Sequence, residues 1–179
     1  MNSLHQALSI PVSFLKEEFN QEKYSQSRHQ QLDRQDISDE YYKWLQSLNL
    51  KLTHAETFYS IPDQHYTIHK DTHDLTDFPK INWVFGNSIS TMNWYKILLN
   101  NKLDVGKTGI DTGYVGYKLE DVECIHSVDL PSPSLVQAGT VHNVTTKKDF
   151  RWSISTVYTH NDRLLTYNEM IEILKPFIV

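Results

Sequence analysis

The chain has one cysteine, Cys124, in 179 residues. A single thiol excludes an internal disulfide framework and a zinc site built from several cysteines. It fits a reducing compartment, so a cytoplasmic protein is expected, and the Asn143-Val144-Thr145 sequon is then a chance match. No apolar run approaches the roughly 20 residues that span a bilayer, and the first residues lack the charged start and apolar stretch of a secretion signal. Positive charge is not in excess either: 17 Lys and Arg against 22 Asp and Glu leave a formal net charge of -5. That removes any general pull toward nucleic acid or an anionic membrane, so neither is expected as a partner, although a local basic patch could override the net charge. No internal repeat is apparent.

What is present is ordinary for a globular protein, with 39% hydrophobic and 22% charged residues. The length suits one domain over residues 1–179 and leaves no room for a second. The aromatic fraction of 12%, with ten Tyr and four Trp, leans toward strands together with many Thr, Val and Ile. Helical signals are confined to the two ends. Tyr41, Trp44, Leu45 and Leu48 fall on one helical face over residues 39–48, behind a Ser38 N-cap. Thr166 and Glu169 read as a capping box, followed by Met170, Ile171, Ile173 and Leu174, with Pro176 closing the helix. Residues 20–35 hold almost nothing apolar except Tyr24 and Leu32, which predicts a solvated or mobile segment. Between the helices lie about eight short strand patterns, at 50–59, 64–71, 80–85, 91–98, 123–129, 134–138, 141–145 and 150–159. Residues 100–116, rich in Gly, Asn and Asp, read as a long loop. This alternation predicts a sandwich or barrel.

Five residues carry chemistry. In a strand, His69 and Asp71 project from the same face, so an imidazole and a carboxylate stand side by side and can hold two corners of a metal's shell. His142 and Arg151 flank the polar turn at residues 146–149. A hairpin there pairs them directly on one face, with Ser153 two residues further along it. A guanidinium beside a hydroxyl suits a carboxylate clamp. Two histidines and one carboxylate leave three metal positions open, the arrangement of non-haem Fe(II) oxygenases.

On these residues the chain resembles the Fe(II)/2-oxoglutarate-dependent oxygenases, whose pattern is His-x-Asp/Glu, a distal His, and Arg-x-Ser about ten residues later. Here that reads His69-x-Asp71, His142 and Arg151-Trp152-Ser153. The stretches FYSIPDQHYTIHKD, INWVFGN, STMNWYK and SLVQAGTVHNV are similar to the flanking strands of the prolyl-hydroxylase-like and phytanoyl-hydroxylase-like branches. The match covers roughly residues 58–158. The resemblance implies a mainly β fold, a double-stranded β-helix (jelly roll, cupin-like) at about 50–160, with a helical and loop region at 1–49 and a C-terminal helix at 166–175. It implies Fe(II) on His69, Asp71 and His142, and 2-oxoglutarate as co-substrate with its far carboxylate on Arg151 and Ser153. Asn82 and Tyr66 are candidates for its inner end. It also implies O2 as reactant, a small-molecule or peptide substrate, and release of succinate and CO2. Thr72 stands where these branches often have Gly, and the presence of Asp71 disfavours the halogenase variant. Residues 1–49 match no subfamily, so substrate class is not carried over.

Other readings stay open. A non-catalytic cupin-like module that binds a metal or small molecule would keep the strands and need no carboxylate clamp. An isomerase or dioxygenase without 2-oxoglutarate would use three histidines, a set that does not assemble from this sequence. A structural protein with a fortuitous His-x-Asp pair is the blandest alternative. His65 and His73 could compete as ligands. His5, His29, His54, His126 and His160 read as surface or satisfied polar groups. Trp94 and Tyr95 are placed on barrel-lining strands, Lys147 and Lys148 in a solvated turn, and Cys124 in the core.

Overall fold

A computed structural model describes residues 3–63, 66–71, 77–85, 90–99, 101–107, 113–146 and 150–179. In chain order the elements are β1 (His5–Ala7), β2 (His29–Gln31), α1 (Asp39–Ser47), β3 (Lys51–Ser60), β4 (His69–Asp71), β5 (Pro79–Phe85), β6 (Ser90–Ile97) and β7 (Lys102–Lys107). They continue with β8 (Gly113–Tyr117), β9 (Val122–Asp129), β10 (Ser134–Gln137), β11 (His142–Thr146), β12 (Arg151–His160), β13 (Arg163–Leu164) and α2 (Tyr167–Leu174).

The strands form two antiparallel sheets. The larger has the order β1-β10-β5-β12-β3-β2, with β13 on β12, and the smaller has the order β7-β8-β4-β11-β6-β9. From β3 to β12, leaving aside the β7–β8 hairpin, the chain changes sheet at every step except β6 to β9. This pairwise crossing winds it into a jelly roll. The mainly β fold with flanking helices expected from the sequence is the fold observed.

Strand parity explains the two faces of the large sheet. On β12, Trp152, Ile154 and Tyr158 join the core packed with α1 and α2, which includes Tyr41, Trp44, Leu45, Tyr167, Met170 and Leu174. Arg151, Ser153 and Ser155 point the other way, into the space between the sheets. Both faces of β12 are covered, so β12 is buried over nearly its whole length. Both helices start where the sequence places them. The Ser38 side chain accepts from the Glu40 amide, and Thr166 and Glu169 form a complete capping box. Asn49 takes a positive φ of 55° just past α1, a conformation asparagine tolerates. No helix among the described residues is long and apolar enough to cross a membrane.

Four expectations change. Residues 100–116 are not one long loop: β7 and β8 pair as a hairpin and extend the small sheet at β4. Their Gly and Asp content reads as turn, yet backbone pairing of β7 with β8 and of β8 with β4 is enough to hold them in the sheet. Residues 20–35 are mostly exposed, as expected, but they are anchored rather than a free loop, because Tyr24 and Leu32 are buried and β2 pairs with β3. The Tyr24 hydroxyl donates to Asp36 and accepts from the Asp33 amide, tying the segment down. The pairing of His142 with Arg151 in a hairpin does not form: β11 pairs with β4 and β6, and β12 pairs with β3 and β5. In a jelly roll the chain between these strands crosses from one sheet to the other. Cys124 is exposed rather than in the core, because β9 is an edge strand with one open face. His65, Thr72, His73, Lys147 and Lys148 lie outside the described residues.

Candidate functional site

Between the sheets lies a cavity of about 380 Å³, within the range of small-ligand pockets. Its wall on the large sheet comes from alternate residues of three neighbouring strands: Glu56 and Phe58 of β3, Lys80 and Asn82 of β5, and Arg151, Ser153 and Ser155 of β12. The small sheet supplies His69 and Asp71 from β4, Met92 from β6, and His142 and Val144 from β11. All five residues expected to carry chemistry therefore face one cavity, as do Asn82 and Tyr66. They meet by a different route from the expected hairpin.

His69 and His142 are direct Cα partners on β4 and β11, and their ring centroids lie 4.5 Å apart. Each Nδ1 sits 2.8 Å from a backbone carbonyl two residues earlier, Thr67 for His69 and Thr140 for His142. A carbonyl only accepts, so each Nδ1 carries the proton, and each Nε2 is left with its lone pair. This is how proteins orient metal-binding imidazoles. Asp71 Oδ1 lies 3.9 Å from His69 Nε2. Asp71 Oδ2 lies 2.8 Å from Lys80 Nζ, a contact between two almost fully buried side chains.

The buried charges perturb one another. Burial by itself raises the Asp71 pKa, but Lys80, His142 and His69 outweigh it and hold the carboxyl at about 2. Burial pulls Lys80 down, yet the Asp71 and Glu56 carboxylates outweigh it, so its pKa is raised. His142 is pushed down to about 4 by burial and by His69 beside it. Arg151 is 4% exposed, and burial lowers its pKa to about 10. Among the described residues no carboxylate pairs with it, and its Nε has no hydrogen-bond partner. A guanidinium buried this way is costly unless an anion joins it.

The smaller candidates also find places. Tyr66 Oη is 2.6 Å from Ser60 Oγ, and Asn82 Oδ1 accepts from Ser155 at 2.8 Å. Trp94 and Tyr95 do not line the cavity. Trp94 is fully buried and donates to the Gln137 carbonyl, and Tyr95 packs with Ile68, Tyr117 and Val141. Met92, two residues from Trp94, takes the cavity position instead.

Among the cavity residues that the sequence reading missed, three are ionisable and central to the site: His29, Lys80 and Glu56. His29 reads as a surface group, but β2 brings it to the cavity wall, edge-on to Phe58 and Tyr66, with its Nδ1 buried and without a partner. Lys80 shares strand parity with Asn82, a signal that was available. Glu56 shares parity with Phe58, but nothing local tells which face of β3 is inward. Outside the cavity, His54 bonds Glu56 at 2.8 Å, and His5 and His126 stack with Trp94.

As they stand, no three His, Cys, Asp or Glu side chains among the described residues form a ready metal shell. Asp71 is turned toward Lys80. The donor types still suit a divalent metal: two carbonyl-oriented imidazoles with free Nε2 and one carboxylate oxygen face the same space.

The depressed pKa of His142 sets an acid limit on the metal-free fold. The unfolded imidazole takes a proton near pH 6.5, whereas the folded one resists to about pH 4. The stability from keeping His142 neutral is therefore fully present above pH 6.5 and is lost as pH falls toward 4, by about 3 kcal/mol for this shift. Melting temperature measured with chelator should drop across that window, and His142→Asn should flatten the slope. An equal slope in the variant would remove His142 as the cause.

The chain matches no family model and no curated protein sequence. Among solved structures it is similar to RmlC from Streptococcus suis, determined in complex with dTDP-D-xylose, at 11% identity and a TM-score of 0.31. The match covers 82% of this chain and 64% of that chain, so it spans less than two thirds of the RmlC length. A likeness at that level carries no argument about activity or ligand. The jelly roll rests on strand order and register.

Proposed function

We propose that the chain is an Fe(II)- and 2-oxoglutarate-dependent oxygenase that hydroxylates a small-molecule or peptide substrate. The supporting observation is Arg151: a buried guanidinium with no carboxylate partner among the described residues, in the same cavity as two oriented imidazoles and Asp71. The sequence pattern of His69, Asp71, His142, Arg151 and Ser153 leads to the same reading.

In this proposal His69 Nε2, His142 Nε2 and Asp71 Oδ1 hold the metal. Iron held there would supply activation of O2, for a reaction in which one oxygen atom would end in the substrate hydroxyl and the other in succinate, with loss of CO2 from 2-oxoglutarate. The chain's own residues do the rest. Arg151 meets the far carboxylate of 2-oxoglutarate with a charge-assisted pair of N–H donors, and the Ser153 hydroxyl adds a third. Tyr66 and Asn82 line the path to the inner end. Phe58, Met92, Val136 and Val144 give the cavity apolar walls that limit water. Thr67 and Thr140 keep each imidazole proton on Nδ1, away from the cavity.

One observation favours a second reading. The Lys80–Asp71 pair neutralises the carboxylate without any metal, as a non-catalytic module that binds a small anion would allow. Anaerobic addition of Fe(II) and then 2-oxoglutarate separates the two. An oxygenase should develop a visible charge-transfer band only when both are present. A folded protein that stays colourless but still binds 2-oxoglutarate supports the binding module and overturns the oxygenase.

A further inference from the structure

Lys80 and Asp71 reach each other from opposite sheets, β5 in the larger and β4 in the smaller. Lys80 Nζ sits 2.8 Å from Asp71 Oδ2, and both side chains are almost fully buried. Lys80 also feels the carboxylate of Glu56 on β3, which in turn bonds His54 Nε2 at 2.8 Å. One ammonium thus serves two buried carboxylates in the wall of the cavity. A buried carboxylate holds its charge only beside a cation or strong donors. In a site of two histidines and one carboxylate, the metal supplies that cation. Here a lysine supplies it beforehand.

We propose that Lys80 is a positioning residue that stands in for the charge of the divalent cation in the metal-free site, and thereby sets how tightly the site takes a metal. The inference rests on reading His69, Asp71 and His142 as metal ligands. Lys80 acts in two ways. It engages Oδ2, so Asp71 offers Oδ1 toward His69 Nε2 and binds through one oxygen rather than two. It also cancels the carboxylate charge, so an arriving metal meets a like charge and a weakened negative potential. The site is stable when empty and binds metal less tightly than its donors alone would.

The chain of residues 1–179 tests this with Mn(II) alone as probe, followed by loss of the free Mn(II) electron paramagnetic resonance signal. Lys80→Met keeps the aliphatic stem and removes the charge. It should bind Mn(II) at least about tenfold more tightly than the native chain. It should also melt at a lower temperature with chelator, and added Mn(II) should raise that temperature more than in the native protein. Lys80→Arg, which keeps the charge, should stay within about threefold of native affinity. If Lys80→Met does not fold, Glu56→Gln reads the same balance from the other side: Lys80 then leans wholly on Asp71, and Mn(II) binding should weaken.

Native binding with equal or weaker affinity in folded Lys80→Met overturns the role of Lys80 and leaves the metal site standing. If Glu56→Gln is the variant that folds, equal or tighter binding overturns it. Binding by Lys80→Met and none by the native chain supports the role of Lys80 and overturns the oxygenase reading. No binding by either protein overturns both.

Discussion

His69→Ala is expected to cost at least about a hundredfold in divalent-metal affinity and to end the conversion of 2-oxoglutarate to succinate, with the fold intact. Loss of an outer-shell partner alone costs a metal site 10- to 100-fold, and loss of a ligand costs more. The fold should survive because of where His69 sits. Its side chain is 24% exposed, and its Nδ1 bond goes to Thr67 on the same stretch of chain. Removing it strands no distant partner. Asp71→Ala is a less clean probe, since it leaves Lys80 buried without its ion-pair partner and lowers stability by that route as well. Mn(II) titration and a melting curve on His69→Ala separate the effects. A folded variant with native Mn(II) affinity would remove His69 from the metal site.

Arg151→Ala should raise the 2-oxoglutarate requirement about 10- to 100-fold, the range for losing a charged hydrogen-bonding partner worth about 1.5–3 kcal/mol. Mn(II) affinity should stay native, because Arg151 is on β12 and the proposed ligands are on β4 and β11. Lys at this position should recover only part of the loss, since an ammonium cannot present two parallel donors. Stability gives an independent readout. Burial depresses the Arg151 pKa to about 10, so the ligand-free fold carries the guanidinium at a cost. Arg151→Met, which fills the space without charge, should melt no lower than the native protein while losing 2-oxoglutarate binding. An unchanged requirement in either variant would place the co-substrate elsewhere, and a sharp fall in melting temperature would make Arg151 a structural residue.

Much of this site is visible in sequence because strands repeat every two residues. That period alone puts His69 beside Asp71 and Arg151 beside Ser153. It also puts Lys80 on the side of Asn82 and leaves Trp152 and Ile154 opposite Arg151, which is why β12 carries polar and apolar residues in alternation and buries both sets. Caps work similarly: Ser38, Thr166 and Glu169 act on amides within three residues, so their pattern suffices. Composition misleads where backbone pairing does the holding. The β7–β8 hairpin has the Gly and Asp content of a loop, and β2 has no apolar residue, yet both add to sheet edges.

By itself, then, the sequence determined which side chains share a strand face, where the helices begin, and that the fold is mainly β with a candidate two-histidine, one-carboxylate set. Only the tertiary structure decided which strands are neighbours. His142 meets His69 through β4–β11 pairing, not Arg151 through a hairpin, because the jelly roll sends β11 and β12 to different sheets. The same crossing brings Lys80 onto Asp71 from the opposite sheet and leaves Arg151 in the cavity with no carboxylate paired to it among the described residues. Local periodicity acts over two to four residues and cannot contain such contacts. They arise when two sheets close on each other, and that closure places the charges the proposed chemistry depends on.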